Sequence, residues 1–262
     1  MSETPETPNL PKKPVNNAPV GMMEMWIRLP KPRERMTIII LALTVGVYGL
    51  QLLSQAIYQM DIPLGVLALD AELIQQGQFW RLLTVVLVHG SILHIGLNML
   101  AFYTLGRSLE RFYGPWRLLI LYLLGALGGS LFQYYFSQGV AAGAATGVFA
   151  IAAGQLVLFL RNRFLWEQQN RNYLLNFMGI LGLNLIINLF PGLGGLSMIG
   201  GFLAGLGFAW FAGPRYHLSM VGENSQEFEL VDQVEPRTTI QTMAVALLVI
   251  AGLIALRFFS AG

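Results

Sequence analysis

The stretch HGSILHIGLN, residues 89–98, sets two imidazoles and a carboxamide in apolar surroundings. Polar groups held at membrane depth are costly, so His89, His94 and Asn98 are the first residues to test for function. His94 and Asn98 are four apart and share one helical face. Two neutral donors converging there could hydrogen-bond a developing oxyanion. The same pair could equally join two helices, and spacing alone favours that plainer role. A metal centre is disfavoured for want of a third ligand, since the remaining histidine, His217, is expected on the opposite side of the membrane. The chain has no cysteine, which excludes a thiol nucleophile, a thiolate metal site and a disulfide framework.

These groups need elements to carry them, and the composition says which. Of 262 residues, 55% are hydrophobic and 11% charged, with mean hydropathy +0.57. Soluble domains run near a quarter charged. The expected class is therefore all-α, a polytopic membrane protein. A net charge of +2 gives no reason to expect a nucleic-acid partner. Seven apolar segments approach the length needed to cross a bilayer. They run over 37–57, 82–105, 116–137, 144–160, 173–190, 197–213 and 239–259. The fourth, fifth and sixth are short for a full crossing. Small-residue pairs Gly125/Gly129, Gly143/Gly147 and Gly201/Gly205 recur at a spacing that lets helix backbones approach closely. Together they predict tight packing around the fourth and sixth spans. Asn184 and Asn188 in the fifth are expected to bond a neighbouring helix.

If every span crosses, fourteen of the sixteen Lys and Arg residues fall on the side of the N-terminus. The positive-inside rule then puts that terminus in the cytoplasm and the C-terminus outside, as in a bacterial inner membrane. Residues 1–35 are polar and Pro-rich and do not have the pattern of a cleavable signal peptide. Within them GMMEMWIRLPKPRER, at 21–35, suits an interfacial segment on lipid head groups, with partner docking as the second use. Residues 215–238 carry Glu223, Glu227, Glu229, Asp232 and Glu235 and are expected to be a solvated acidic linker. The expected organisation is a tail over 1–35, a six-helix membrane domain over 36–214, that loop, and an added helix over 239–262.

GQFWRLLTVVLVHGSILHIGLNMLAFYTLGRSLERFYG, GAATGVF at 143–149 and SMIGGFLAGLGFAW at 197–210, in that order, resemble the rhomboid family of intramembrane serine proteases. The resemblance covers roughly residues 75–214. It implies a six-helix bundle with an added seventh helix and an active site open to the outer side. His94 and Asn98 match the oxyanion side of that site, His89 the family's pattern around it, and Phe149 the aromatic that packs on the catalytic histidine in relatives. Gly143, Thr146, Gly201 and Gly205 fall in the same motifs. The family's serine, however, falls on Ala145 and its histidine on Met198. A methyl group cannot attack a carbonyl, and a thioether is no base at neutral pH. Thr146 is one residue away, which turns its side chain by about 100°. The expectation is an inactive member, with no cofactor, in contact with the bilayer and with transmembrane segments of other proteins. It would act as an assembly or quality-control factor, or as a subunit of a larger complex. A laboratory knockout of an active protease is the alternative, and a transporter or channel ranks third, because the spans carry few polar groups along a path.

Overall fold

A computed structural model of the chain describes residues 26–31, 34–136, 140–165, 177–183, 185–186, 197–222 and 227–260. Asn184, Asn188, Met22, Met23, Met25 and Glu223 lie outside the described residues. The first long helix, α1, is Arg35–Tyr58. Three short helices follow: α2 Ile62–Leu67, α3 Ala71–Gln75 and α4 Arg81–Thr84. Helix α5, Ile92–Phe136, breaks at Gly114, whose φ of 73° precedes Pro115, so its arms 92–113 and 115–136 are two separate helices. Then come α6, Ala145–Arg161, and α7, Ser197–Ala212, with residues 177–183 helical between them. The last helix, α8, is Pro236–Ser260. Among the described residues three helices, α1, α5 and α8, are long and apolar enough to cross a membrane, and α6 and α7 are shorter apolar helices.

The centre of the bundle is α6, of whose seventeen residues thirteen are buried. It is hemmed in by α5 and α7 at backbone distance. A Cβ added at Gly125 would stand 2.2 Å from the Ala150 Cβ, and one at Gly205 would stand 2.5 Å from the Ala150 Cα. One at Gly201 would meet the Thr146 carbonyl oxygen at 2.3 Å. The packing expected from the small-residue pairs is therefore present. It is the principal contact of the fold, because lipid tails supply no hydrophobic drive between helices and close packing must replace it.

Two expectations need correction. The acidic segment 215–238 is not simply a linker. It holds two antiparallel strands, β2 (Tyr216–Met220) and β3 (Glu227–Asp232), and β3 also pairs in parallel with β1, Trp26–Arg28. The alternation of Glu227, Phe228, Glu229 and Leu230 has the two-residue period of a strand, and Leu230 packs against the core. The segment 21–35, read as interfacial, therefore contributes a strand where it is described. Arg117 fastens this sheet and the start of α8 to the bundle. It pairs with Asp232 and donates to the Val234 carbonyl at 2.8 Å and the Thr239 hydroxyl at 2.9 Å. The second correction is that the span 82–105 is not one helix: α5 starts only at Ile92, and His89 precedes it.

Helix α1 is capped from elsewhere in the chain. No side chain of its own satisfies its first turn. Glu110, fully buried on α5, accepts from the Met36 and Thr37 amides, both at 2.8 Å, and from the Thr37 hydroxyl at 2.6 Å. A carboxylate there also faces the positive end of the helix dipole. Glu110→Ala should lower the unfolding free energy by roughly 3 kcal/mol, because hydrogen bonds to a charged group are lost and three donors lose their acceptor. Glu110→Gln should cost less. Unfolding in mixed micelles measures both, and an unchanged midpoint in Glu110→Ala would refute the capping role.

Candidate functional site

The site is built where an extended stretch, residues 140–144, crosses the first turn of α5. Ala141 and Leu69 exchange backbone hydrogen bonds at 2.9 and 3.0 Å, and the Gly143 amide donates to the Val85 carbonyl at 3.1 Å. The Ala144 amide donates to His89 Nε2 at 3.2 Å. An imidazole nitrogen that accepts carries no proton, so His89 is neutral with its proton on Nδ1. Gln51 of α1 holds the other side of His89. Its Oε1 accepts from the His89 amide at 3.0 Å, and its Nε2 donates to the His89 carbonyl at 3.1 Å and to Asp61 at 2.8 Å. Asp61 in turn caps α2 through the Leu64 amide. His89 is thus a positioning residue that ties the 140–144 stretch to α1. Sequence reading placed it in a span and missed both Gln51 and Asp61.

His94 lies one turn inside α5, its amide capped by the Ser91 hydroxyl at 3.2 Å. Its ring packs edge-on against His89, with centroids 5.1 Å apart. Both ring nitrogens are buried, with no hydrogen-bond partner among the described residues. Asn98 donates to the His94 carbonyl at 3.0 Å, one turn back, and its Oδ1 is buried and unsatisfied. One amide hydrogen of the anticipated oxyanion pair is therefore committed within the helix, while the His94 ring is not. Gly143 closes over that ring. Its φ is 124°, and an added Cβ would fall 2.8 Å from His94 Nε2.

On the other side of Gly143 stand the first turns of α6 and α7. Ala145 and Met198 are both buried, at 2% and 3% exposure. Phe149 is buried one turn further along α6. Thr146 packs its methyl group against Gly129, its carbonyl lies against Gly201, and its hydroxyl is buried and unsatisfied. A cavity of about 10 Å³ is lined by Ala145, Thr146, Gly143, Ser130, Gln133 and Ser197, among others. It is about the size of one water. Ser130 and Gln133 were not foreseen. They lie four and seven residues beyond Ala126 on one turn-spaced face of α5, a periodicity that was available to read. The geometry thus brings His94, Asn98, Gly143, Ala145, Thr146 and Ser197 to one end of the bundle, and puts His217 elsewhere, in β2.

A protein-family model described as the Rhomboid domain matches residues 76–215, more than half the chain. The chain belongs to the rhomboid family. This rhomboid is 34% identical over 154 residues to RHOMBOID-like protein 5 of Arabidopsis thaliana, covering 57% of this chain and 50% of the relative. It is 32% identical over 160 residues to the rhomboid protease GluP of Bacillus subtilis (strain 168), covering 59% and 29%. With RHOMBOID-like protein 6, mitochondrial, of Arabidopsis thaliana, identity is 30% over 191 residues, covering 71% and 62%. The rhomboid thus spans half or less of the length of the first two relatives. Its helices and family make it an integral membrane protein.

The left-handed backbone at Gly143 and the contact with His94 leave no room for a side chain. Gly143→Ala should destabilise this rhomboid by roughly 1–3 kcal/mol, the cost of strained backbone at such a position. The measurement is thermal unfolding in detergent, alongside Gly207→Ala, where the added methyl meets nothing within 4 Å. Equal effects of the two substitutions would refute the close approach.

Proposed function

We propose that this rhomboid is catalytically inactive and binds transmembrane segments of other membrane proteins, as an assembly or quality-control factor or as a subunit of a larger complex. One observation carries the reading. At the positions on α6 and α7 where the family motif has its serine and histidine, the side chains are those of Ala145 and Met198, both buried, and the Ser130 and Thr146 hydroxyls near Ala145 are buried and unsatisfied among the described residues. A methyl and a thioether provide neither nucleophile nor base. The His94 ring, Asn98 Oδ1 and the Thr146 hydroxyl retain hydrogen-bonding capacity that hydrocarbon cannot satisfy. A client segment with polar or loosely helical residues gains more from such groups than from lipid. Loss of turnover leaves a binding site.

The membrane setting supports the same reading. Helices of sixteen and seventeen residues rise roughly 25 Å against a hydrocarbon core of about 30 Å. Short spans thin the bilayer beside them, which lowers the cost of moving a less apolar helix to that edge. The bias of Lys and Arg puts the N-terminus, and with it the three-stranded sheet, on the cytoplasmic side of what we take to be a bacterial inner membrane.

The purified protein should leave a model transmembrane substrate intact and should not react with a serine-directed phosphonate. A photo-crosslinking residue at position 145 or 198 should capture transmembrane proteins in the native membrane, and one on the lipid face of α1, at Leu52, should not. Several partners at low yield indicate client binding, and one partner set in integer ratio indicates a complex subunit. Cleavage of the substrate by the unmodified chain sinks the proposal.

A further inference from the structure

A much larger cavity lies away from this site. It is a groove of about 600 Å³ between the second arm of α5, α7 and the outer part of α8. Its walls are apolar: Gly128, Phe132 and Tyr135 from α5, Gly207 from α7, and Ala246 and Leu253 from α8. Leucine, phenylalanine, valine and isoleucine side chains from the three helices make up most of the rest of its lining. Its size falls in the range of small-ligand sites, roughly 300–1,000 Å³. A transmembrane helix about 10 Å across and 30 Å long would fill roughly 2,400 Å³, so the groove suits an acyl chain and not a helix.

One end of the groove carries a charge. The Tyr135 hydroxyl donates to the Leu253 carbonyl at 2.7 Å and closes the groove at the end of α5. Beyond it the Arg257 guanidinium rests on the rings of Tyr134 and Tyr135, 5.5 and 5.9 Å from their centroids. Arg257 makes no ion pair among the described residues, and its Nε is buried without a hydrogen-bond partner. Two aromatic faces fix its position, yet its donors are unused. A guanidinium offers a planar fork matched to phosphate oxygens. By the inferred orientation it stands at the outer membrane interface, the level of lipid head groups.

We propose that the groove is a binding site for one anionic phospholipid, with an acyl chain between α5, α7 and α8 and the phosphate on Arg257. The lipid adds to the attachment of α8 at the end opposite Arg117. This site is separate from the one around Ala145, and its test does not depend on the function proposed for that site.

The full chain, purified in mild detergent, should retain one phosphatidylglycerol by native mass spectrometry when that lipid is supplied with an equal amount of phosphatidylcholine. Arg257→Gln should cut the preference for phosphatidylglycerol roughly tenfold, as expected for loss of a charge-assisted contact. Gly207→Leu fills the groove from a position whose added Cβ meets nothing within 4 Å, and should abolish retention of either lipid while the thermal midpoint without lipid is unchanged or raised. Equal retention of the two lipids by the unmodified chain would overturn the proposal. So would unchanged retention in Gly207→Leu, or a polypeptide crosslinked at Ala246 in place of lipid.

Discussion

Backbone-to-backbone contact of α6 with its neighbours is the constraint on which the rest of this structure depends. The Thr146 carbonyl lies where a side chain at Gly201 would be, and the Ala150 Cα where one at Gly205 would be. From the other side Gly125, Gly129 and Tyr122 close on the same helix. Each contact excludes a Cβ, so none of the three helices can shift by a turn without collision. The register of α5, α6 and α7 is fixed, and so is the height at which Ala145, Ser197 and Ser130 meet. The site around Ala145 is a consequence of that register and not a separate construction.

The same constraint accounts for the small residues around position 145. The small residues over 143–154 are required by packing whether or not chemistry occurs at position 145. Removing a hydroxyl from the first turn of α6 opens no sizeable void, since the cavity beside Ala145 is only about 10 Å³. What the fold does not dictate is the polar surround. The buried Ser130, Thr146, His94 and Asn98 groups cost free energy when unpaired.

Legibility in the sequence followed the same division. The glycine pairs announced the contact of the fourth and sixth spans, and the boundaries of α6 and α7 fall within a residue or two of the apolar segments that suggested them. Hydropathy failed where an apolar run was not one helix. Residues 82–88 read as the beginning of a span, but Ser91 caps α5 and leaves His89 in the preceding turn. A Ser four residues before Ile95, just after Gly90, is an N-cap signal that outweighs hydropathy locally. The sheet was hidden differently. The acidic composition of 215–238 drew attention from the strand period of Glu227, Phe228, Glu229 and Leu230, and β1 pairs with a segment 201 positions away, which no local pattern encodes. Gln51, likewise, reads as an ordinary polar residue on α1 until His89 is seen against it.

The added helix obeys a different rule from the core. α8 lies beyond residues 76–215, the region matched to the family, and no glycine of its own approaches another backbone closely: Gly252 faces open space. It is attached at its ends. Arg117 gathers Asp232, Val234 and Thr239 at the start, while Arg257 lies on two tyrosines at the far end. Between these points Ile250 is buried and Met243, Ala246 and Ile254 pack against the core, while Thr242, Ala246 and Ile250 also line the groove. A helix packed beside a groove is cheaper to displace than one packed along its whole face, because fewer dispersion contacts must break. The six-helix core can therefore keep its register while α8 adjusts to whatever fills the space beneath it. That separation follows directly from where the glycines are and where they are not.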